Sequence, residues 1–393
     1  MIKKERYKMF NDKIMERWVE EALKKNYSLE MLSDLLEKNG FKGNELKEIV
    51  DYYESLNGVS LKVPSQMSNK KDKSLDEPIR EVTELIKRVR KEVGKVVIGQ
   101  EEVLDNLLCS LICNGHVLIE GVPGIGKTLL IKTMAKVSGC SSKRIQFTAD
   151  LLPTDITGII TYTPTKGFEV NKGPLFTNFV IADEINRSPP KTQSSLLEAM
   201  QEKQVTIGRD RLELPIPFFV VANNNPLESS GVYNLPEAQV DRFLFKLIMG
   251  YPDRGDEFKI MEKNINLLKF EKYDVKKILN PENILKMQAL AKKIYIDNKV
   301  KNYILDIVEK TRKKDFDKGR YIEWGVSPRA SIGLFIGSKT KALMKGRKYV
   351  TPQDVKDVVF QILRHRIILN YRAQAENVTS DEVIKDILNF VSL

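Results

Sequence analysis

Eight consecutive residues, Gly121-Val122-Pro123-Gly124-Ile125-Gly126-Lys127-Thr128, combine small size, one cation and one hydroxyl in a spacing suited to gripping phosphate. They follow the apolar run Val117–Ile119 and precede the helical run that starts at Leu129, so G-x-x-x-x-G-K-[ST] stands between a strand and a helix. Glycines let such a backbone curl until several N–H groups point inward at phosphate oxygens, at the positive end of the following helix. Lys127 then reaches the β- and γ-phosphates of a nucleotide such as ATP, and the Thr128 hydroxyl ligates Mg²⁺. A loop of this kind binds, but hydrolysis needs an acidic element. Phe179–Ala182 reads as a buried central strand that ends in Asp183-Glu184, at the end where α/β sheets take their ligands. There Asp183 would hold Mg²⁺ through water, and Glu184 is placed to polarise the water that attacks the γ-phosphate. Another strand, from Phe218, ends in Asn223-Asn224-Asn225 before Pro226. An amide in that place can share the attacking water with Glu184, since it offers both donor and acceptor. A turn before proline uses Asn equally well, and spacing alone does not choose among the three.

Elements must hold these residues in place. Strand candidates at His116–Glu120, Arg144–Thr148, Phe179–Ala182, Phe218–Ala222 and Phe243–Ile248 alternate with helical stripes such as Leu129–Val137 and Thr192–Gln201. That alternation predicts a three-layer α/β core with a mostly parallel sheet over residues 79–255. From Asp256 to Leu393 the stripes are helical only, which predicts an all-α lid over 256–393. Ahead of the core, three short amphipathic runs with tight turns read as a small helical unit over 1–57, a docking or accessory module. A polar tether over 58–78 follows it. Two stretches interrupt the alternation, Gly158–Val170 and Gln204–Leu214, and both read as hairpins.

Composition bounds the class. The 393 residues are 42% apolar and 30% charged, which excludes a disordered or collagenous chain. No apolar run approaches the ~18 residues that cross a bilayer, and the charged start lacks a signal-peptide core, so the expected compartment is the cytoplasm. Cys109, Cys113 and Cys140 form no Cys-x-x-Cys pair, and His116 and His365 are the two histidines, which argues against a zinc module. The net charge is +11, of which +7 falls in residues 301–393, away from the motifs. Such a basic stretch can attract nucleic acid or another acidic partner.

Taken together, the phosphate loop, Asp183-Glu184, the strand-end Asn, Pro236–Phe243 and Val326–Ala330 resemble the MoxR family of AAA+ ATPases. Val97–Gln100, Asp150–Gly158, Gly173–Phe176 and Ala182–Met200 extend the match, which runs from about residue 84 to the C-terminus. The resemblance implies a P-loop AAA+ core with a helical lid, in which Gly121 to Leu129 cradle ATP. By the same resemblance Ile98 and Gly99 line the adenine pocket, Asn225 is sensor 1, Arg242 is an arginine finger and Arg329 is sensor 2. Asn223 stands where the family pattern has Thr. The physics suits both arginines, since a fixed guanidinium neutralises charge spreading over a transferring phosphoryl group. An isolated Arg otherwise reads as a surface ion pair.

The family also implies a homo-oligomeric ring, a hexamer, that remodels or matures a client protein, with von Willebrand factor A domain proteins as the expected partners. Its two hairpins would face the pore or the client. Two other classes compete. A DNA-dependent motor or loader would draw on the basic lid, and a nucleotide-controlled scaffold would have little turnover. The joint presence of Glu184, Asn225 and Arg242 favours an active ATPase over a scaffold.

Overall fold

Strands that are apolar on both sides need cover on both faces, and a parallel sheet sandwiched by helices gives it. The computed structural model describes residues 75–165, 167–225, 231–263 and 273–391. The expected helical unit at 1–57 and most of the 58–78 tether lie outside these residues. The described chain begins with α1 (Asp76–Val93) and α2 (Glu101–Ile112), then β1 (Val117–Glu120), α3 (Lys127–Val137), β2 (Ser142–Gln146) and α4 (Pro153–Thr157). A hairpin of β3 (Gly158–Thr163) and β4 (Gly167–Lys172) leads to β5 (Phe179–Asp183) and α5 (Pro190–Glu202). A second hairpin, β6 (Gln204–Ile207) and β7 (Asp210–Glu213), precedes β8 (Phe219–Asn224), α6 (Glu237–Val240) and β9 (Phe245–Ile248).

Five strands form one sheet in the order β2-β5-β8-β1-β9, with every pairing parallel. The side-chain period of two divides the core between its faces. Val117, Ile119, Ile181 and Val221 face α1, α2 and α3, while Leu118, Val180, Val220 and Ala222 face α5 and the base of β6. Helix α1 starts three residues before its apolar stripe, because Asp76, Glu77 and Pro78 make its first turn. Acidic residues and proline both suit a helix N-terminus.

The region beyond is α7 (Arg254–Lys263), α8 (Pro281–Lys293), α9 (Asn298–Lys313), α10 (Pro328–Met344), α11 (Pro352–Leu363), α12 (Tyr371–Ala375) and α13 (Ser380–Phe390). It also carries a short antiparallel ribbon, β10 (Ile322–Trp324) with β11 (Ile368–Leu369), that helical periodicity does not announce. Helix α10 packs on α11 and reaches back to α1 and α2, so lid and core share one apolar cluster. Among the described residues, no helix is long and apolar enough to cross a membrane.

His116 ties the sheet to α5. The Val220 N–H donates to its Nδ1 at 3.1 Å, so Nε2 carries the proton and donates to the Met200 carbonyl at 3.2 Å. Burial pushes this imidazole down from 6.5 to about 4. Protonation therefore favours the unfolded chain, and His116 contributes stability that is complete above pH 6.5 and lost as pH falls toward 4. The expected loss from this group is about 2 kcal/mol at pH 5 relative to pH 8. His116→Gln should be less stable at pH 8 yet show a flatter profile from pH 6.5 to 5 in calorimetric melting. An equally steep profile in the variant would assign the acid sensitivity to other groups.

Candidate active site

Gly124 and Gly126 adopt φ of +86° and +89°, and a Cβ built on either would meet nothing within 4 Å. The backbone conformation, not crowding, demands glycine there. At Gly121 crowding decides, since a Cβ would lie 2.5 Å from the Met249 carbonyl. Ile125 and Leu129 pack against the core and pin the loop from below. No side chain caps α3 at Gly126, so its first-turn N–H groups remain available where the helix dipole is positive. The Lys127 ammonium donates to the carbonyls of Gly121 and, at 3.1 Å, Asn224.

Asp183 ends β5 at 5% exposure, and a carboxylate buried so deeply needs partners. Arg144 on β2 supplies an ion pair, with a guanidinium nitrogen at 2.6 Å. The Thr128 hydroxyl lies 3.3 and 3.4 Å from the two carboxylate oxygens, and the Asn223 amide donates to one of them. Glu184 follows in the left-handed region, φ 57° and ψ 51°, a conformation that costs on the order of 1 kcal/mol for a residue with a Cβ. Its backbone N–H donates to the Asn223 side-chain oxygen at 2.8 Å. Its carboxylate accepts from Gln146 at 2.5 Å and pairs with Arg187 at 3.3 Å. Asn223 thus bridges both acidic residues, at the position where the family pattern has Thr.

A cleft of about 340 Å³ is lined by Pro123, Gly124, Gly126, Lys127, Thr128 and Leu129, together with Asp183, Glu184 and Asn223 to Asn225. It unites the loop, the acidic pair and the Asn expected as sensor 1. The buried Asn224 Oδ1 has no hydrogen-bond partner. Cationic and N–H donors beside carboxylate and hydroxyl oxygens fit a triphosphate with a hard divalent cation. Among the described residues no cluster of three His, Cys, Asp or Glu could hold a metal. A cation here would therefore take most of its ligands from phosphate and water, as Mg²⁺ does.

Ile98, Gly99, Arg242 and Arg329 lie outside that lining. Gly99 has φ +72°, and a Cβ there would lie 2.7 Å from an Asp256 carboxylate oxygen. Arg329 opens α10, as its sequence position predicts, and its guanidinium pairs with Asp241 at 3.1 Å. Three site neighbours escaped the sequence reading: Arg144, Gln146 and Arg366. The first two had a usable signal. They are two apart on a predicted strand and so share a face, and the register sets Gln146 opposite Asp183.

Residues 116–245 match the family model of the ATPase family associated with various cellular activities (AAA), and residues 316–387 match that of the AAA lid domain. The fold and site thus define a nucleotide-binding AAA ATPase, which converts ATP and water to ADP and phosphate. Chaperone MoxR1 of Mycobacterium tuberculosis is 42% identical over 307 residues, 77% of this chain and 80% of its own. The uncharacterized protein YeaC of Bacillus subtilis is 39% identical over 310 residues, 79% of this chain and 95% of its own. A crystal structure of a candidate ATPase from Cytophaga hutchinsonii, 45% identical, matches with a TM-score of 0.76 over 81% of this chain and 98% of that one. The chain belongs to the MoxR family of AAA+ ATPases.

Two variants probe the cleft. Lys127→Ala should abolish or severely weaken ATP binding, because the β- and γ-phosphates lose their point charge; calorimetry showing parental affinity would refute this. Asn223→Ala leaves the Glu184 N–H without its acceptor and Asp183 without a donor, at a site 2% exposed. We expect nucleotide affinity within about threefold of the parent and turnover lower by about tenfold or more, since misplacing a reacting group costs rate before it costs binding. Parental turnover would show that Asn223 does not hold the carboxylates in place.

Proposed function

We propose that this chain works as a ring of identical subunits, a hexamer, that hydrolyses MgATP to remodel or mature a partner protein complex in the cytoplasm. The observation that carries the ring is the placement of Arg242. The phosphate loop follows Glu120 at the C-terminal end of β1, whereas Arg242 precedes Phe245 at the N-terminal end of β9. The two strands pair in parallel, Val117 with Phe245 and Glu120 with Ile248. A strand length of about 13 Å therefore separates Arg242 from its own loop along the sheet. Among the described residues, its guanidinium has no hydrogen bond or ion pair. A half-buried cation so placed is suited to a neighbour's γ-phosphate.

Within each subunit, Gly121 to Leu129 hold the phosphates, and Thr128 and Asp183 hold Mg²⁺. The cation so held would supply charge neutralisation at the phosphate oxygens. Glu184 takes up a proton from the attacking water, and Asn225 orients that water. The client side is supported by the hairpin of β3 and β4, where Tyr162 and Phe168 are 64% and 79% exposed with ring centroids 5.1 Å apart. Ile160, two residues before Tyr162 and 42% exposed, shares that face of the hairpin. The relative's name, chaperone, supports a protein client, and a von Willebrand factor A domain protein is the partner we propose. The basic lid lends a DNA motor little support. Six of its cations, Lys310, Lys313, Lys345, Arg347, Arg364 and Arg366, are engaged in ion pairs, which leaves fewer of them open to a phosphate backbone.

Complementation tests the ring. Glu184→Gln should bind ATP normally and lose hydrolysis by on the order of 10²-fold or more. Arg242→Ala should also bind ATP almost normally and lose most turnover, since trans-acting fingers contribute roughly 10³–10⁵ in the best cases. In a mixture, some Arg242→Ala pockets face an intact finger on a Glu184→Gln neighbour, and activity should partly return. A mixture that stays inactive while mixed oligomers form would reduce Arg242 to a structural residue.

A further inference from the structure

Asp241, the residue before Arg242, is the meeting point of three lid groups. Arg366 donates from Nε to one carboxylate oxygen at 2.7 Å. The Arg329 guanidinium and the Ser327 hydroxyl donate to the other at 3.1 and 3.2 Å. Ser327 caps α10, Arg329 lies in its first turn, and Arg366 follows the end of α11. One short stretch of core is thereby bonded to two lid helices.

The backbone contacts are more specific than the ion pair. Arg366 also donates to the carbonyls of Asp241 at 3.1 Å, Phe243 at 2.7 Å and Leu244 at 3.1 Å. His365 adds a second contact to the Phe243 carbonyl at 3.0 Å. The carbonyls on either side of Arg242 are thus held by one guanidinium whose own side chain is 3% exposed. The Arg242 side chain, by contrast, carries no bond of its own among the described residues. A fixed backbone beneath an uncommitted charged side chain is how a group is presented to another molecule. An ion pair that served lid attachment alone would have no reason to bracket this residue.

We propose that Asp241 is a positioning residue that locks the Arg242 turn to the seated lid, so that α10 and α11 set the placement of Arg242 toward the neighbouring subunit. This rests on the trans reading of Arg242 and adds the device that controls it. Lid movement in one subunit would thereby change hydrolysis in the next, with no contact to that pocket other than Arg242 and its surroundings.

Two variants test this from opposite sides of the joint. Asp241→Asn removes the carboxylate charge, and Arg366→Lys keeps the lid charge but loses the fork that spans two carbonyls. For each we expect ATP affinity within about threefold of the parent and turnover lower by on the order of 10²-fold, the scale of a group misplaced by about an ångström. Turnover should return when either variant is mixed with Glu184→Gln, whose intact Arg242 turn then faces the variant's pocket. A merely structural defect would weaken the variant's own nucleotide binding and would not be complemented. Arg242→Ala in the same mixtures is the control. If it is rescued while Asp241→Asn and Arg366→Lys keep parental turnover, or lose turnover without rescue, the positioning role is wrong and the trans finger stands. If Arg242→Ala itself is not rescued although mixed oligomers form, the trans reading fails and the positioning role with it. Should Asp241→Asn not fold, Arg366→Lys decides alone.

Discussion

A carboxylate at 5% exposure is tolerable only when cations and donors surround it, and the burial of Asp183 organises the whole catalytic end of the sheet. Its partners come from three different elements: Thr128 from α3, Arg144 from β2 and Asn223 from β8. The strand order β2-β5-β8 is what makes this set available, because it places β5 between the strands that bear Arg144 and Asn223. A sheet with β5 at an edge would leave the carboxylate half-solvated and its neighbours scattered. Glu184 inherits this constraint. With Asp183 fixed inward, the chain must turn at once, and the left-handed backbone at Glu184 is held by the Asn223 side chain rather than by glycine.

Much of this was legible in the sequence, and for a physical reason. The phosphate loop is a local structure whose backbone conformation, dihedrals included, is written in adjacent glycines. Strands buried on both faces appear as apolar runs whatever their neighbours are. Asp183-Glu184 and Asn225 were therefore placed correctly at strand ends before any strand order was known. The Arg144 and Gln146 contacts were not, because they depend on which strand lies beside β5, and periodicity is silent about sheet order. Asn223 illustrates the same limit. Its sequence signature was a deviation from a family pattern, whereas its role follows from the space between two strands. The ribbon of β10 and β11 was missed because three and two residues are too few to show a period.

Charge composition alone does not say which of the lid's cations are engaged. The excess of basic residues toward the C-terminus suggested an open surface for an acidic partner. Some of those residues are paired, with Arg347 and Lys345 on Asp354, Arg364 on Asp381 and Arg366 on Asp241. Long cationic side chains can reach carbonyls at helix and strand ends, as Arg366 does at Asp241, Phe243 and Leu244. Pairs formed within residues 301–393 leave the surplus of +7 unchanged, because that figure already subtracts their acidic partners; the Arg366 bond to Asp241 reaches an acid outside that stretch.

The parallel sheet has a further consequence for how a subunit can work. Every strand of it points the same way, so residues that follow strands gather at one end and residues that precede them gather at the other. Asp183, Glu184, Asn225 and the phosphate loop belong to the first set, and Asp241 and Arg242 belong to the second. No adjustment of loops within one chain easily brings the two sets together across the length of β9, about 13 Å. On the proposed trans reading of Arg242, a subunit built this way would carry two incomplete half-sites rather than one complete site. Bringing a second copy alongside joins unlike ends, which is a head-to-tail contact, and head-to-tail contacts close into rings or run on as filaments. On that reading the dependence on assembly would follow from strand direction, and the polar joint at Asp241 lies at the end of the subunit that such a contact would use.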